Sequence, residues 1–239
     1  MIKFENYEVH GWEPAIRGMR NPMNSWEKSD SGYCSNYYQQ EYNCGFCDEG
    51  CVHGHWIGPN DHDLMMRLAK AGTEHSKYRR MITVYVDITA PLYWWKEFDT
   101  YKVGTVANSC STMHKIHAKE FTREDFSCEH LADGFGASCY EPISGEFISP
   151  VDVLDITIAI LNYYRDGYLM SKDKKAWWQL IQLLPSSYNQ KRTVMLNYEN
   201  LSAIYRQRKD HKLDEWHDFC DWIRGLPYSE LITLEEVSE

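Results

Sequence analysis

The stretch "MITVYVDITAPLYWWKEFDTYKVGTVANSCSTMH", residues 81 to 114, constrains the fold more than any other. Ile82, Val84, Val86 and Ile88 alternate with Thr83, Tyr85 and Asp87, the period of a strand with one buried face. Pro91 follows at once, and its fixed φ and missing N–H suit the first turn of a helix over "PLYWWKEFD". A strand that runs straight into an aromatic helix has to bury both against a core. After Asp99 the texture turns small and polar in "GTVANSCSTMH", which lets backbone approach a ligand closely, although an ordinary polar loop reads the same way. The aromatic half is expected to pack inward and the polar half to face a pocket.

The remaining pattern is mostly helical. "PNDHDLMMRLAKAG" carries Leu64, Leu68 and Ala71 on one face, with Asn60 or Asp61 as its cap and Gly72 as its stop. Residues 12 to 28 read as a short helix or turn bearing Arg17 and Arg20, broken by Pro22. Residues 118 to 148 are loop-rich. A long apolar helix then runs from a Ser149 cap, with Pro150 in its first turn, to Gly167. "KKAWWQLIQLL" is a helix stopped by Pro185, and two more are expected at about 194 to 208 and 211 to 224. Few strands among several helices predict an α+β fold dominated by helices, a single domain over residues 1 to 239 with an irregular insertion at about 30 to 58.

Net charge is −10, which disfavours nucleic-acid polymers and anionic membranes as partners while leaving room for a small anion held by local cations. No stretch reaches the roughly 20 apolar residues of a membrane span, and "MIKFENYEVHGWEP" has no secretory pattern, so a cytoplasmic setting is expected. Nine Trp and seventeen Tyr are many, and suit stacking sites, subunit interfaces or simply a rich core.

Eight cysteines in such a setting point to metal or thiol chemistry before disulfides. Cys34, Cys44, Cys47 and Cys51 are spaced C-x9-C-x2-C-x3-C. A two-residue gap lets two thiolates reach one ion from a tight turn, and four complete a tetrahedral site. His53 or His55 could replace one of them. Structural zinc is expected; an iron–sulfur cluster uses the same ligands, and a loop with free thiols is the plain alternative. Cys110 has no predictable His partner and reads as an inert thiol.

Two segments, "DHDLMMRLAKAGTEHSKYRRMITVYVDITAPLYWWKEFDTYKVGTVANSCSTMH" and "LLPSSYNQKRTVMLNYENLSAIYRQRKDHKLDEW", resemble the flavin-dependent thymidylate synthases. Residues 12 to 28 share the resemblance loosely, and the insertion lies outside it. Ala90 and Pro91 match, and Glu97 stands where a Gln contacts the nucleotide. Thr100, Tyr101 and Lys102 occupy the Arg-His-Arg positions that grip the flavin. Asn108 and Ser111 match the signature with one residue inserted before Asn108, while Ser109 and Met113 replace its Glu and Arg. Leu184, Pro185, Asn197, Leu201, Arg208, His211 and Glu215 fall in register with one residue missing before His211. Lys191 stands for one flavin-contacting Arg, and Glu199 reverses the charge of another.

The resemblance implies a helix-dominated thymidylate synthase-like fold with a small central sheet. It implies FAD as cofactor, a deoxyuridine or related pyrimidine nucleotide as methyl acceptor, a folate as one-carbon donor, and a homotetramer. Arg208 would polarise the pyrimidine, with Ser111 and Glu97 positioning the nucleotide. Thr100, Tyr101, Lys102, Asn108, Lys191, Asn197 and His211 would line the flavin. Independently, Asn197, Leu201 and Arg208 fall at i, i+4 and i+11 on one helical face. An Arg there wants an anion or a planar polar edge, unless it snorkels to solvent or pairs with Asp210 or Glu215. The rival reading is a catalytically altered relative that serves as a nucleotide-binding or protein-interaction module.

Overall fold

The computed structural model describes residues 2–33, 55–141 and 145–235. In chain order they form β1 (Lys3–His10), α1 (Trp12–Arg20), β2 (Gly32–Tyr33), β3 (His55–Trp56), α2 (Pro59–Lys70), β4 (Thr83–Pro91), α3 (Leu92–Phe98), β5 (Val106–Ser109) and α4 (Thr112–Lys115). There follow β6 (Cys139–Glu141), β7 (Glu146–Ile148), α5 (Pro150–Ser171), α6 (Lys174–Leu183), β8 (Asn189–Asn197), α7 (Tyr198–Arg208), α8 (Asp214–Arg224) and α9 (Glu230–Thr233). Four strands form one sheet in the order β1-β4-β8-β5, and β2–β3 and β6–β7 are separate pairs. This is the helix-rich α+β class with a small sheet that the sequence predicts. No helix among the described residues is long and apolar enough to cross a membrane.

The chain divides into two compact units. The first comprises Met1–Lys3, Ile88–Thr100 and Asn108–Arg192. Here the aromatic helix α3 buries Trp94, Trp95 and Phe98 to 3% exposure or less, as its composition demands. Fully burying one such side chain is worth roughly 1.5–3 kcal/mol. The polar edge of Trp95 is satisfied, since its Nε1 donates to the Gln190 carbonyl at 3.0 Å. A second cluster joins Phe121, Phe126, Leu154, Leu161 and Leu180. Helix α5 starts with a full capping box, in which Ser149 and Asp152 satisfy each other's backbone N–H. It does not stop at Gly167, as expected, but runs to Ser171, where Lys172 takes a left-handed conformation (φ 55°). Gly167 has nothing within 4 Å of its Cβ position and a helical backbone, so it neither breaks nor caps.

The second unit comprises Phe4–Asp87, Tyr101–Ala107 and Thr193–Glu239. Trp12, Met65, Val84, Tyr198, Leu201, Ile204, Trp216 and Phe219 make its core. The expected alternation in β4 holds, with Ile82 and Val84 wholly buried and Tyr85 exposed. The start of α2 differs from expectation. Pro59 opens the helix after Gly58, and neither Asn60 nor Asp61 caps it. Instead the carboxylate of the distant Asp30 accepts from the backbone N–H of Asn60 (2.9 Å) and Asp61 (3.1 Å), an anion at the positive end of the helix. Asp61 turns inward, wholly buried, and pairs with Arg20 Nε at 2.6 Å.

Two further boundaries move. Residues 194–197 are strand, not helix: β8 ends at Asn197, whose side chain accepts from Asn200 N–H at 2.9 Å and caps α7. Helix α8 begins at Asp214 rather than 211. The loop-rich region contains the β6–β7 pair, and the small polar stretch after Asp99 forms strand β5. Cys34, Cys44, Cys47 and Cys51 lie outside the described residues. The chain on either side of them is tied by β2 and β3, with Gly32 opposite Trp56 and Tyr33 opposite His55.

Candidate functional site

Arg208 is the last residue of α7, one turn beyond Ile204, whose complete burial fixes that face of the helix. Its Nε donates to Tyr101 Oη at 2.8 Å, and Tyr101 Oη donates in turn to Gln207 Oε1 at 3.1 Å. The guanidinium carbon sits 4.7 Å from the Trp216 ring and 5.6 Å from the Tyr101 ring. Trp216 is wholly buried, so one face of the cation rests on a surface that cannot move aside. Contacts of this kind contribute roughly 0.5–2 kcal/mol each. Orientation matters more than that energy here: a half-buried planar cation is held at a fixed angle, the geometry that planar, paired recognition of carbonyl or phosphate oxygens uses.

His211 closes the same corner. Its backbone N–H donates to the Arg208 carbonyl at 3.0 Å, and its ring lies edge-on to Trp216 at 6.2 Å. Nδ1 accepts from Leu213 N–H at 3.2 Å, which assigns the proton of the neutral ring to Nε2. Thus Arg208, Tyr101 and His211 lie in one corner, where Tyr101 braces the arginine. Trp216 and Gln207 belong to the group and were not expected there. Trp216 lies in register with Phe219 and Ile223, the i, i+3, i+7 pattern of a core face, which hides its role under the cation.

Beside this corner the loop carrying Lys102 folds onto the start of α7. Asn200 Nδ2 donates to the Val103 carbonyl at 2.7 Å. Gly104 has φ +75°, and a Cβ there would meet Asn200 Oδ1 at 2.9 Å and Asn197 Nδ2 at 3.0 Å. Only glycine suits both the backbone and the gap. Asn197 therefore acts as cap and loop anchor, with its Nδ2 edge turned to Gly104; Lys102 is exposed.

Glu199, which reverses a charge in the resemblance, has an internal role. Its carboxylate meets Arg79 at 2.6 Å and Ser76 Oγ at 3.3 Å, and Arg79, 4% exposed, also reaches Ser202 Oγ at 3.1 Å. The reversed charge is compensated inside the second unit.

The other expected residues fall in the first unit. Thr100 donates its hydroxyl to the Glu97 carbonyl at 2.7 Å, ending α3. Asn108 is exposed on β5. Ser111 caps α4, accepting from His114 N–H at 3.0 Å. Lys191 is half-buried on β8, and its carbonyl accepts from Cys110 N–H at 2.9 Å. Among the described residues no group of three or more His, Cys, Asp or Glu could hold a metal ion.

No protein-family model matches the chain, and no curated protein does. Solved structures do. A flavin-dependent thymidylate synthase ThyX from Helicobacter pylori, complexed with FAD and dUMP, superposes with a TM-score of 0.60 at 15% identity, covering 97% of both chains. Another structure of ThyX from that organism with FAD and dUMP gives 0.62 at 15% identity over 98% of this chain and 97% of that one. A UMP/dUMP methylase PolB from Streptomyces cacaoi, bound with 5-Br UMP, gives 0.56 at 12% identity over 98% and 95%. At such identities the likeness concerns the fold, and it agrees with the motifs: this chain is built on the fold of the flavin-dependent thymidylate synthases.

Proposed function

We propose that the chain binds a pyrimidine nucleotide at Arg208 and methylates the base, using FAD and a folate one-carbon donor. The observation that carries this reading is the braced guanidinium, planar and fixed between Trp216 and Tyr101. The neighbours crystallised with dUMP or 5-Br UMP support it.

Arg208 would donate to a carbonyl oxygen of the pyrimidine and draw electron density out of the ring. Tyr101 keeps Nε occupied, so the cation meets the base by its outer edge. No covalent attack by the enzyme is needed, consistent with Cys110 being an ordinary thiol. Lys102 and Asn197 Nδ2, a cation and a neutral donor flanking Gly104, fit an anionic, carbonyl-rich group and would hold the flavin. When bound, reduced FAD supplies the hydride and the folate supplies the carbon. His211, with Nε2 carrying the proton, would donate toward the cofactor.

The test is direct. Protein purified without added cofactor is expected to be yellow or to bind FAD saturably, and to bind dUMP saturably. Failure to bind dUMP would remove the nucleotide reading. Binding of dUMP by a protein indifferent to FAD would leave a nucleotide-binding module in place of an enzyme.

Two assembly features belong to the same proposal. On α5 only Leu154 and Leu161 are buried, while Val153, Ile156, Tyr163 and Met170 are 49–88% exposed. An apolar stripe of this kind supports a homotetramer. The spacing of Cys34, Cys44, Cys47 and Cys51 supports one zinc ion per chain. Light scattering at four chain masses and elemental analysis near one zinc per chain are the expected results. A monomer would exclude the assembly, and metal-free protein would exclude the zinc.

A further inference from the structure

We propose that a basic pocket in the first unit, walled by α4, the end of α5 and the start of α6, binds a phosphate monoester. The cavity holds about 280 Å³. Its polar lining is basic: Lys172 and Lys174 with the imidazoles of His114 and His117, and the rings of Tyr168 and Trp177 as apolar walls. In a chain of net charge −10, two lysines around one cavity with no acidic lining residue reverse the local sign, and two imidazoles stand beside them. This site holds whether or not Arg208 binds a nucleotide.

The walls are fixed. Trp177 Nε1 donates to the Met113 carbonyl at 3.2 Å, and Arg165 Nε donates to the His117 carbonyl at 3.1 Å. The His117 ring stands edge-on to Tyr168 at 4.8 Å, and Lys172 Nζ lies 5.3 Å over the same ring. The nearby carboxylates are engaged elsewhere, Asp166 with Arg165 at 2.8 Å and Asp173 with Lys175 N–H at 2.9 Å. His117 Nδ1 is buried and has no hydrogen-bond partner among the described residues. Buried polar atoms are normally paired, so this ring nitrogen, a donor to an anion whenever it carries a proton, asks for a partner from a ligand.

Lys172 adds a second line. It holds φ 55° at the end of α5, a position where glycine or asparagine is the unstrained choice. The chain keeps a cation there at the cost of backbone strain. A tetrahedral phosphate offers several acceptor oxygens to ammonium and imidazole donors, and the Trp177 ring can flank whatever carries it. Drug-sized sites run to roughly 300–1,000 Å³, so this cavity suits a phosphate with its first attached group and not a whole dinucleotide. Burial lowers the His117 pKa, and the charges of Lys172, Lys115 and Arg165 lower it further.

Calorimetric titration of the full chain with inorganic phosphate tests the site. Saturable binding is expected, weakened about tenfold by Lys172→Gly and by Lys174→Gln, and more by both. Lys172→Gly suits the left-handed backbone, so its melting temperature is expected to hold or rise. Phosphate is also expected to raise the His117 pKa followed by NMR, since an adjacent anion favours the imidazolium. The charged groups that act on the His117 ring are Lys172, Lys115 and Arg165, all of which oppose its imidazolium, so a rise in pKa on adding phosphate reports an anion at the ring. A nucleoside monophosphate that binds more tightly than phosphate, and weakens equally in Lys172→Gly, identifies a nucleotide as the source; equal affinities identify free phosphate. Absence of phosphate binding in the wild type, or a double variant that binds undiminished, overturns the site.

Discussion

Asp61→Ala is expected to lower the unfolding free energy by roughly 3–5 kcal/mol, because it strands a buried guanidinium. Arg20 is 4% exposed along its side chain and Asp61 is not exposed at all. One carboxylate oxygen accepts from Arg20 Nε at 2.6 Å; the other accepts from Ser29 Oγ, Ser31 Oγ and the backbone N–H groups of Asp30 and Ser31 at 2.7–3.1 Å. Removing the acceptor leaves five donors without it, and of these the Arg20 guanidinium, 4% exposed, cannot turn to water instead. Urea unfolding measures the change, and a loss under 1 kcal/mol would show that the pair is dispensable. The linkage sign follows from the same contacts. Burial alone would raise the Asp61 pKa, but the hydrogen bonds of Ser31, Ser29 and Arg20 and the Arg20 charge outweigh it, and the folded value lies below the ordinary one. Its stabilisation is therefore present above about pH 4 and is lost as the pH falls through the depressed folded value. Asp61→Ala is expected to flatten that part of the acid limb. An unchanged acid limb would contradict the assignment.

Asp61 also marks where the sequence stops being legible. Read locally, an Asp two residues after a Pro at the start of an apolar-periodic run is a cap, and Ser149 with Asp152 shows how well that reading works when both partners lie within one turn. The partner of Asp61 is 41 residues away and the true cap, Asp30, stands 30 residues before Asn60, so no local window on the sequence contains them. Glu199 is the same case. Set against a family pattern it reads as a charge reversed in a cofactor site, whereas its partner Arg79 shows a charge exchanged within a core. The strand at 82–88 and the aromatic helix after Pro91 were legible because period and proline geometry are local. Strand 189–197 was not, since "QKRTVMLN" lacks a clean alternation and leads without a break into a helix. Around Arg208, register and resemblance single out the arginine, His211 and Tyr101 as candidates. The brace from Tyr101, 107 residues earlier, required the fold.

Arg208→Lys is expected to weaken dUMP binding by about one to two decades, the worth of a charge-assisted hydrogen bond. The charge is kept, so simple Coulomb attraction predicts little change; what is lost is shape. A lysine ammonium has no Nε to engage Tyr101 Oη at 2.8 Å and no plane to lie 4.7 Å from Trp216, so it can reach a ligand carbonyl only as a mobile point charge. Tyr101→Phe separates the two parts of the argument: it removes the brace while leaving the guanidinium and the ring stack. Its expected loss is about tenfold or less, set by a hydrogen bond that orients the arginine without touching ligand. If Arg208 serves only the protein surface, both variants bind dUMP as the wild type does and stability shifts by roughly 0–1 kcal/mol. Thermal melts run beside the titrations distinguish lost orientation from lost folding. A large affinity loss in Arg208→Lys at unchanged melting temperature, with Tyr101→Phe between it and the wild type, is the order of effects that a braced, planar cation requires.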